Sequence, residues 1–355
     1  MSNVVTCEQV SRGHVDKICD QISDAVVAEC LRKDPESRVA VETLIKSNVV
    51  VIAGEITSGH EPDYAKLVGR VFESIGIAGQ FDKVKVYTLI TRQSPDIAMG
   101  VDTGGAGDQG VMYGYATNET PELLPIPFAV ATRFIDLLKD LKAPMLLPDA
   151  KAQVSYDYDT GRITTFLCSV QHTPCSEVDD FRAIIESLMV LTAAEYGLND
   201  DFEKLVNPTG KFTVGGSVAD TGVTGRKLAC DTYGGVGRIG GGALSGKDPS
   251  KVDRSGAYMA RRIATGLVRN NCCDRCEVQI AYAIGKAEPV SVSVDTFGTA
   301  RCDLELIDKY VGTYDLTPGG IIRFLHLLDV DYNEVSSGGH FGKLWLPWET
   351  RTICD

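Results

Sequence analysis

VAVETLIKSNVVVIAGEIT, residues 39–57, places two runs rich in valine, isoleucine and threonine on either side of Lys46, Ser47 and Asn48. β-Branched runs that flank turn-forming residues read as a strand hairpin. Upstream, Ile18, Ile22, Ala25, Val26 and Leu31 fall near helical spacing. Downstream, a second helix is predicted over residues 62–76, and KVKVYTLIT (83–91) reads as a further strand before a glycine-rich loop over residues 100–110.

The same helix, hairpin, helix order returns twice. PFAVATRFIDLLKDL is an apolar helix; AQVSYDY and RITTFLCSV flank Asp159, Thr160 and Gly161; a helix is predicted over 176–196, and KFTVGG (211–216) reads as a strand. The third pass has a helix over 255–270, strands EVQIAYAIG and VSVSVDTFG, and helical stretches over 304–314 and 319–328. The expected class is therefore α+β: three similar α/β units, over residues 1–98, 105–216 and 217–355, with mixed or antiparallel sheets covered by helices on one face. Strict β-α-β alternation of the dinucleotide-binding kind is disfavoured. VVVIAG and VQIAYAIG are apolar at nearly every position, so both faces are expected to be covered, with a sheet-to-sheet dimer interface on the outer one.

With 355 residues, 44% hydrophobic and 23% charged, the chain has the composition of a soluble multidomain protein. Lysine plus arginine total 35 against 48 acids, a net charge of −13, which argues against a broad nucleic-acid surface and for local basic clusters. MSNVVTCEQVSRGHVDK lacks the basic start and apolar core of a signal peptide, and no apolar run approaches a membrane span, so a cytoplasmic location is expected. Eleven scattered cysteines read as reduced thiols; Cys272, Cys273 and Cys276 lack the partner pair a zinc site needs.

GGGALSGKDPSKVDRS, residues 240–255, is the stretch richest in chemistry. Glycine fills seven of the thirteen positions 234–246, which lets the backbone close around an anion. Lys247, Asp248, Lys251, Asp253 and Arg254 follow, mixing cations for phosphate with hard carboxylates for magnesium. The spacing from Gly241 to Lys247 also fits a P-loop, but Asp248 stands where that motif needs Ser or Thr; a solvated loop with surface ion pairs is the bland reading. GHVDKICDQISD (13–24) sets His14, Asp16 and Lys17 at a helix start, a ready anion site or an ordinary cap made by Asp16. GAGDQGVMYGYATNET (105–120), DAKAQV (149–154) and DTGVTGRK (220–227) add Asp108, Asp149, Lys151, Asp220, Arg226 and Lys227, each weak alone.

Together these segments, in this order along nearly the whole chain, resemble the S-adenosylmethionine synthetase (methionine adenosyltransferase) family. The resemblance implies three α/β units about a pseudo-threefold axis and a homodimer or dimer of dimers with active sites between subunits. It implies ATP and L-methionine as substrates, a pair of magnesium ions (Mg2+) per site, and potassium (K+), with no nucleic-acid or membrane partner. Carried over by motif, His14, Lys151, Arg226, Lys227 and Lys247 act on the departing triphosphate, and Asp16 and Asp253 hold magnesium. Glu42 binds potassium, Glu55 and Gln93 hold methionine, and Phe212 packs on adenine; Asp108, Asp220, Ala243 and Lys251 contact methionine or the nucleoside.

The chain departs from the family pattern in four places. Val15 stands where the family has proline, which is expected to loosen the placement of His14. Ile239 replaces a histidine, Leu244 replaces a phenylalanine, and the loop between Asp102 and Gly105 is shorter than is typical. The rival reading from another class is a non-catalytic nucleotide-binding homologue or regulatory subunit.

Overall fold

The computed structural model describes residues 3–93, 105–141, 143–174 and 178–350. The strands are β1 (Val4–Val10), β2 (Arg38–Lys46), β3 (Val49–Thr57), β4 (Lys85–Thr91), β5 (Gly110–Thr117), β6 (Leu146–Asp157), β7 (Arg162–His172), β8 (Glu203–Val206), β9 (Gly222–Val223), β10 (Arg275–Tyr282) and β11 (Ser291–Asp295). The longer helices are α1 (Val15–Lys33), α2 (Tyr64–Ser74), α3 (Ile126–Asp140), α4 (Val178–Glu195), α5 (Val252–Arg269), α6 (Leu304–Val311) and α7 (Pro318–Phe324).

These strands make three sheets, ordered β9-β2-β3-β4, β1-β6-β7-β8 and β5-β10-β11. Each contains an antiparallel pair of consecutive strands: β2 with β3, β6 with β7, and β10 with β11. In the first two sheets a parallel strand follows, β4 beside β3 and β8 beside β7. The remaining edge comes from a distant part of the chain in every case. β1 pairs with β6, β5 with β10, and β9 with β2, all antiparallel. Passed around in this way, the first strand of each third of the chain completes the sheet of the next.

Helices cover one face of each sheet: α1 lies on β2 and β9, α3 on β1 and β6, and α5 on β5 and β10. In β2 the alternation is strict, with Val39, Val41, Thr43 and Ile45 buried and Glu42, Leu44 and Lys46 exposed. The close seat of α5 depends on Gly114, where a Cβ would fall 2.0 Å from the carbonyl carbon of Ala260. No helix among the described residues is long and apolar enough to cross a membrane.

Several expectations are corrected. KFTVGG is not a strand: the place beside β7 is taken by β8, and Phe212 accepts the His172 N–H through its carbonyl and donates its own N–H to His172 Nε2. β1, β5 and β9 were not legible as strands because their partners lie far along the chain. α5 begins at Val252, before the expected 255, so Asp253 and Arg254 are helical. The expected dimer interface on the outer sheet face stands apart from these corrections: among the described residues of β2-β3-β4, Leu44 is 40%, Tyr87 53% and Leu89 67% exposed. The Gly241–Lys247 stretch has no P-loop geometry either, since it is an irregular turn segment followed by helix only at Val252. The expected short loop from Asp102 lies outside the described residues up to Gly105.

Candidate active site

Helix α1 carries Asp16, Asp20 and Asp24 at four-residue spacing, which aligns them on one helix face. All three are fully buried. Buried carboxylates are tolerated only when hydrogen-bonded and balanced by charge. Each accepts a backbone N–H from a loop: Asp16 from Val223 at 2.9 Å, Asp20 from Gly225 at 2.8 Å and Asp24 from Gly246 at 2.9 Å. Each also has its cation. Lys227 lies 2.6 Å from Asp16, Lys17 lies 2.9 Å from Asp20 and 2.5 Å from Asp231, and Arg254 holds both oxygens of Asp24 at 2.6 and 2.8 Å. The stripe therefore seats both cation-bearing loops, residues 220–227 and 240–251, on one helix.

His14 is the N-cap of α1, and its Nδ1 accepts the N–H of Asp16 at 3.2 Å. The cap is thus the histidine, not Asp16. Because Nδ1 is spent as an acceptor, the neutral ring carries its proton on Nε2. Burial first, then the charge of Lys227, pushes the His14 pKa down to about 4, so the ring is neutral near pH 7. Lys151 and Asp220 also act on it electrostatically. Asp16 is held below the usual carboxylate range: burial raises it, and the hydrogen bonds from Lys227 and Val223 outweigh that. Val15 at this turn is buried, and a Cβ on Gly222 would fall 2.4 Å from its carbonyl oxygen.

Around this end of α1 lie the other predicted cations. Arg226 is half exposed, 3.6 Å from Asp16, and donates to the Thr221 carbonyl; Lys151 on β6 pairs with Glu8 at 2.7 Å. Ala243 touches this group through Gly225, where a Cβ would fall 2.5 Å from the Ala243 Cβ.

A second cluster sits over the β2-β3-β4 sheet. Glu55, Gln93, Asp108, Lys247, Lys251 and Asp253 line one cavity of about 180 Å³. Lys247 pairs with Asp253, whose other oxygen accepts the Gly242 N–H at 2.9 Å. Lys251 pairs with Asp248 at 2.6 Å, and Asp248 is itself pinned by the Val39 N–H at 2.7 Å. Asp248 is therefore a buried loop anchor that fixes Lys251.

No hydrogen bond or ion pair among the described residues joins the cavity cluster to the His14 cluster. Two predicted residues stand apart from both. Glu42 points outward on β2, and Phe212, half-buried, is held by His172. Asp20, Asp24 and Asp231 escaped the sequence reading, although the four-residue spacing in DKICDQISD was a visible signal for the first two. Ile239 is 45% exposed, whereas Leu244 is buried in the core.

Each cluster is a set of ammonium or guanidinium groups interleaved with carboxylates, suited to a polyanion with a hard cation. No group of three or more His, Cys, Asp or Glu side chains converges into a metal cage among the described residues. That donor set fits magnesium, which is commonly held by one or two carboxylates together with substrate phosphates and water. The nine described cysteines are free thiols.

Family models cover almost the whole chain: S-adenosylmethionine synthetase N-terminal domain at residues 2–95, central domain at 103–212 and C-terminal domain at 214–350. Among curated proteins, the chain is 45% identical to S-adenosylmethionine synthase of Sorangium cellulosum, over 97% of this chain and 86% of that protein. It is 45% identical to the protein of the same name from Treponema denticola, over 98% and 95%, and 43% identical to that from Mesoplasma florum, over 98% and 97%.

Proposed function

The chain belongs to the S-adenosylmethionine synthetase family, and we propose from that premise how its two charge clusters divide the work. Its reaction is methionine adenosyl transfer. The methionine sulfur attacks C5′ of ATP, the C5′–O bond breaks, and the electron pair leaves with the triphosphate, which water then cleaves to phosphate and pyrophosphate.

A thioether has no proton to lose, so no general base can activate it. The rate must come from alignment and from stabilising the leaving group. His14 is suited to the second of these, because a neutral ring with its proton on Nε2 donates to the oxygen that gains charge as the C5′–O bond breaks. Lys151, Arg226 and Lys227 spread triphosphate charge at this end, and Lys247 does so from the cavity, where Lys251 contacts methionine or the nucleoside. Glu55 and Gln93 hold methionine, and Asp108 and Asp220 contact methionine or the nucleoside. Ala243 lies against the nucleotide, with Phe212 on the adenine.

Magnesium, when bound, neutralises the triphosphate, and Asp16 and Asp253 are the carboxylates that would hold it. Each now faces a lysine ammonium, a cation that phosphate oxygens can draw away. Glu42, a single exposed carboxylate, is assigned to potassium.

The exposed apolar side chains on the β2-β3-β4 face support a dimer. A second copy laid on the exposed β2-β3-β4 face would cover Leu44, Tyr87 and Leu89 and bring the cavity cluster of one subunit toward the His14 cluster of the other. The cyclic exchange of edge strands is what a pseudo-threefold arrangement of units 1–98, 105–216 and 217–355 would produce.

The observation that carries this reading is the N-cap role of His14, which fixes a neutral donor among triphosphate-binding cations. Purified chain incubated with ATP, methionine, magnesium and potassium should form S-adenosylmethionine, identified by mass, with one phosphate and one pyrophosphate per ATP. Binding of ATP without that product would favour the non-catalytic homologue instead.

A further inference from the structure

Lys247 is held by three consecutive peptide groups. The Gly246 N–H donates to Asp24 Oδ1 at 2.9 Å, the Gly246 carbonyl accepts from the Val41 N–H at 2.9 Å, and the Lys247 carbonyl accepts from Arg254 Nη1 at 2.8 Å. Asp24 and Arg254 are joined to each other through both carboxylate oxygens, and neither side chain has any exposed surface. The Arg254 guanidinium also stacks over the Tyr332 ring, 4.5 Å from its centroid. Gly246 itself has φ +82°, and a Cβ there would fall 2.1 Å from the Val41 carbonyl oxygen.

A buried ion pair is poor evidence of stabilisation. Well-packed apolar residues of similar volume are commonly as stable or more so, because two desolvated charges cost about what their attraction returns. What apolar residues cannot do is grip one backbone N–H and one carbonyl at fixed positions. Arg254 does this with a planar fork that reaches Asp24 and Lys247 together, which a lysine cannot reproduce.

We propose that the Asp24–Arg254 pair is a positioning element for Lys247, setting from beneath the loop where the ammonium meets the departing triphosphate. This rests on the assignment of Lys247 to that phosphate. Neither Asp24 nor Arg254 touches substrate; both act through the lysine. The consequence is a defect in turnover rather than in methionine binding, since misplacing a charge needed chiefly in the transition state lowers kcat.

A double-mutant cycle in the full-length enzyme tests this. Arg254→Lys should lower kcat for S-adenosylmethionine formation by roughly tenfold or more while the methionine KM changes less than about threefold. In a Lys247→Ala background the same substitution should cost less than about twofold, because its target is gone. Full multiplication of the two effects overturns the proposal. An unchanged kcat in Lys247→Ala alone overturns the assignment of Lys247, and the proposal with it. As a second variant, Asp24→Leu with Arg254→Met should recover a thermal midpoint near that of the parent yet keep the low kcat. Recovery of kcat along with the midpoint would mean the pair is merely structural and would sink the idea.

Discussion

Lys227 Nζ lies 2.6 Å from Asp16 Oδ2, so a cation suited to phosphate and a carboxylate suited to metal are each other's partner at the start of α1. A triphosphate–metal complex has something to offer both, since it supplies anionic oxygens to the lysine and a divalent ion to the aspartate. On the proposed assignments the site would exchange one internal pair for two external ones, and little bare charge would have to be kept out of water beforehand.

Asp16→Asn keeps the shape and removes the charge. It should lower kcat on the order of a hundredfold and raise the magnesium concentration needed for half-maximal rate, as expected when a carboxylate ligand of a phosphate-bound metal is lost. Steady-state rates across a magnesium series check this. An unaltered magnesium dependence would remove Asp16 from the metal assignment.

His14 gives a pH signature with a definite sign. Its folded pKa lies near 4, below the ordinary 6.5, so between those values the unfolded chain binds the proton and the folded chain does not. The stability linked to the neutral ring is complete above pH 6.5 and is lost as pH falls toward 4. Relative to His14→Asn, the protein should lose on the order of 3 kcal/mol across that window, measured by urea denaturation at several pH values. Titration of the His14 ring by NMR near its ordinary value of 6.5 would contradict the assigned environment.

Leu89 is the most exposed apolar residue of the β2-β3-β4 face. Leu89→Glu leaves the chain's own core untouched, so a monomeric enzyme would tolerate it. A dimer built on that face would not: sedimentation should shift toward monomer, and activity should fall by roughly tenfold or more at low protein concentration. Unchanged mass and activity would place the interface elsewhere.

Gly114→Ala tests the seat of α5 on β5. The added methyl meets backbone atoms of Ala260 and Arg261 near 2 Å, and a helix backbone cannot rotate out of the way as a side chain can. A loss of about 3 kcal/mol or more in unfolding free energy is expected from this overpacking. Calorimetry or denaturant melts will read it.

Much of the fold was legible in the amino acids, and the rest was hidden for physical reasons. The hairpin at residues 39–57 and helices α1 and α3 announced themselves through local periodicity, which short-range sterics impose. β1, β5 and β9 did not, because an edge strand is defined by its partner and those partners lie far away in the chain. Asp248 was visible as a residue that spoils a P-loop, but its function as an anchor for Lys251 depends on Val39, more than two hundred positions earlier. Asp20 and Asp24 went unread, although their spacing was in view. Only the burial of α1 on nearly all sides turns that spacing into a row of loop anchors.

The passing of edge strands from one sheet to the next bears on how the chain is made. When the ribosome has released the first hundred residues, β1 still waits for β6, and β2 still waits for β9 more than a hundred residues further on. No unit closes its sheet with its own strands alone: β1-β6-β7-β8 is complete only at Val206 and β9-β2-β3-β4 only at Val223, so earlier segments of the nascent chain carry open strand edges until then. A ring of mutual dependence yields a single cooperative melt. It also makes excised pieces of this protein poor candidates for independent expression.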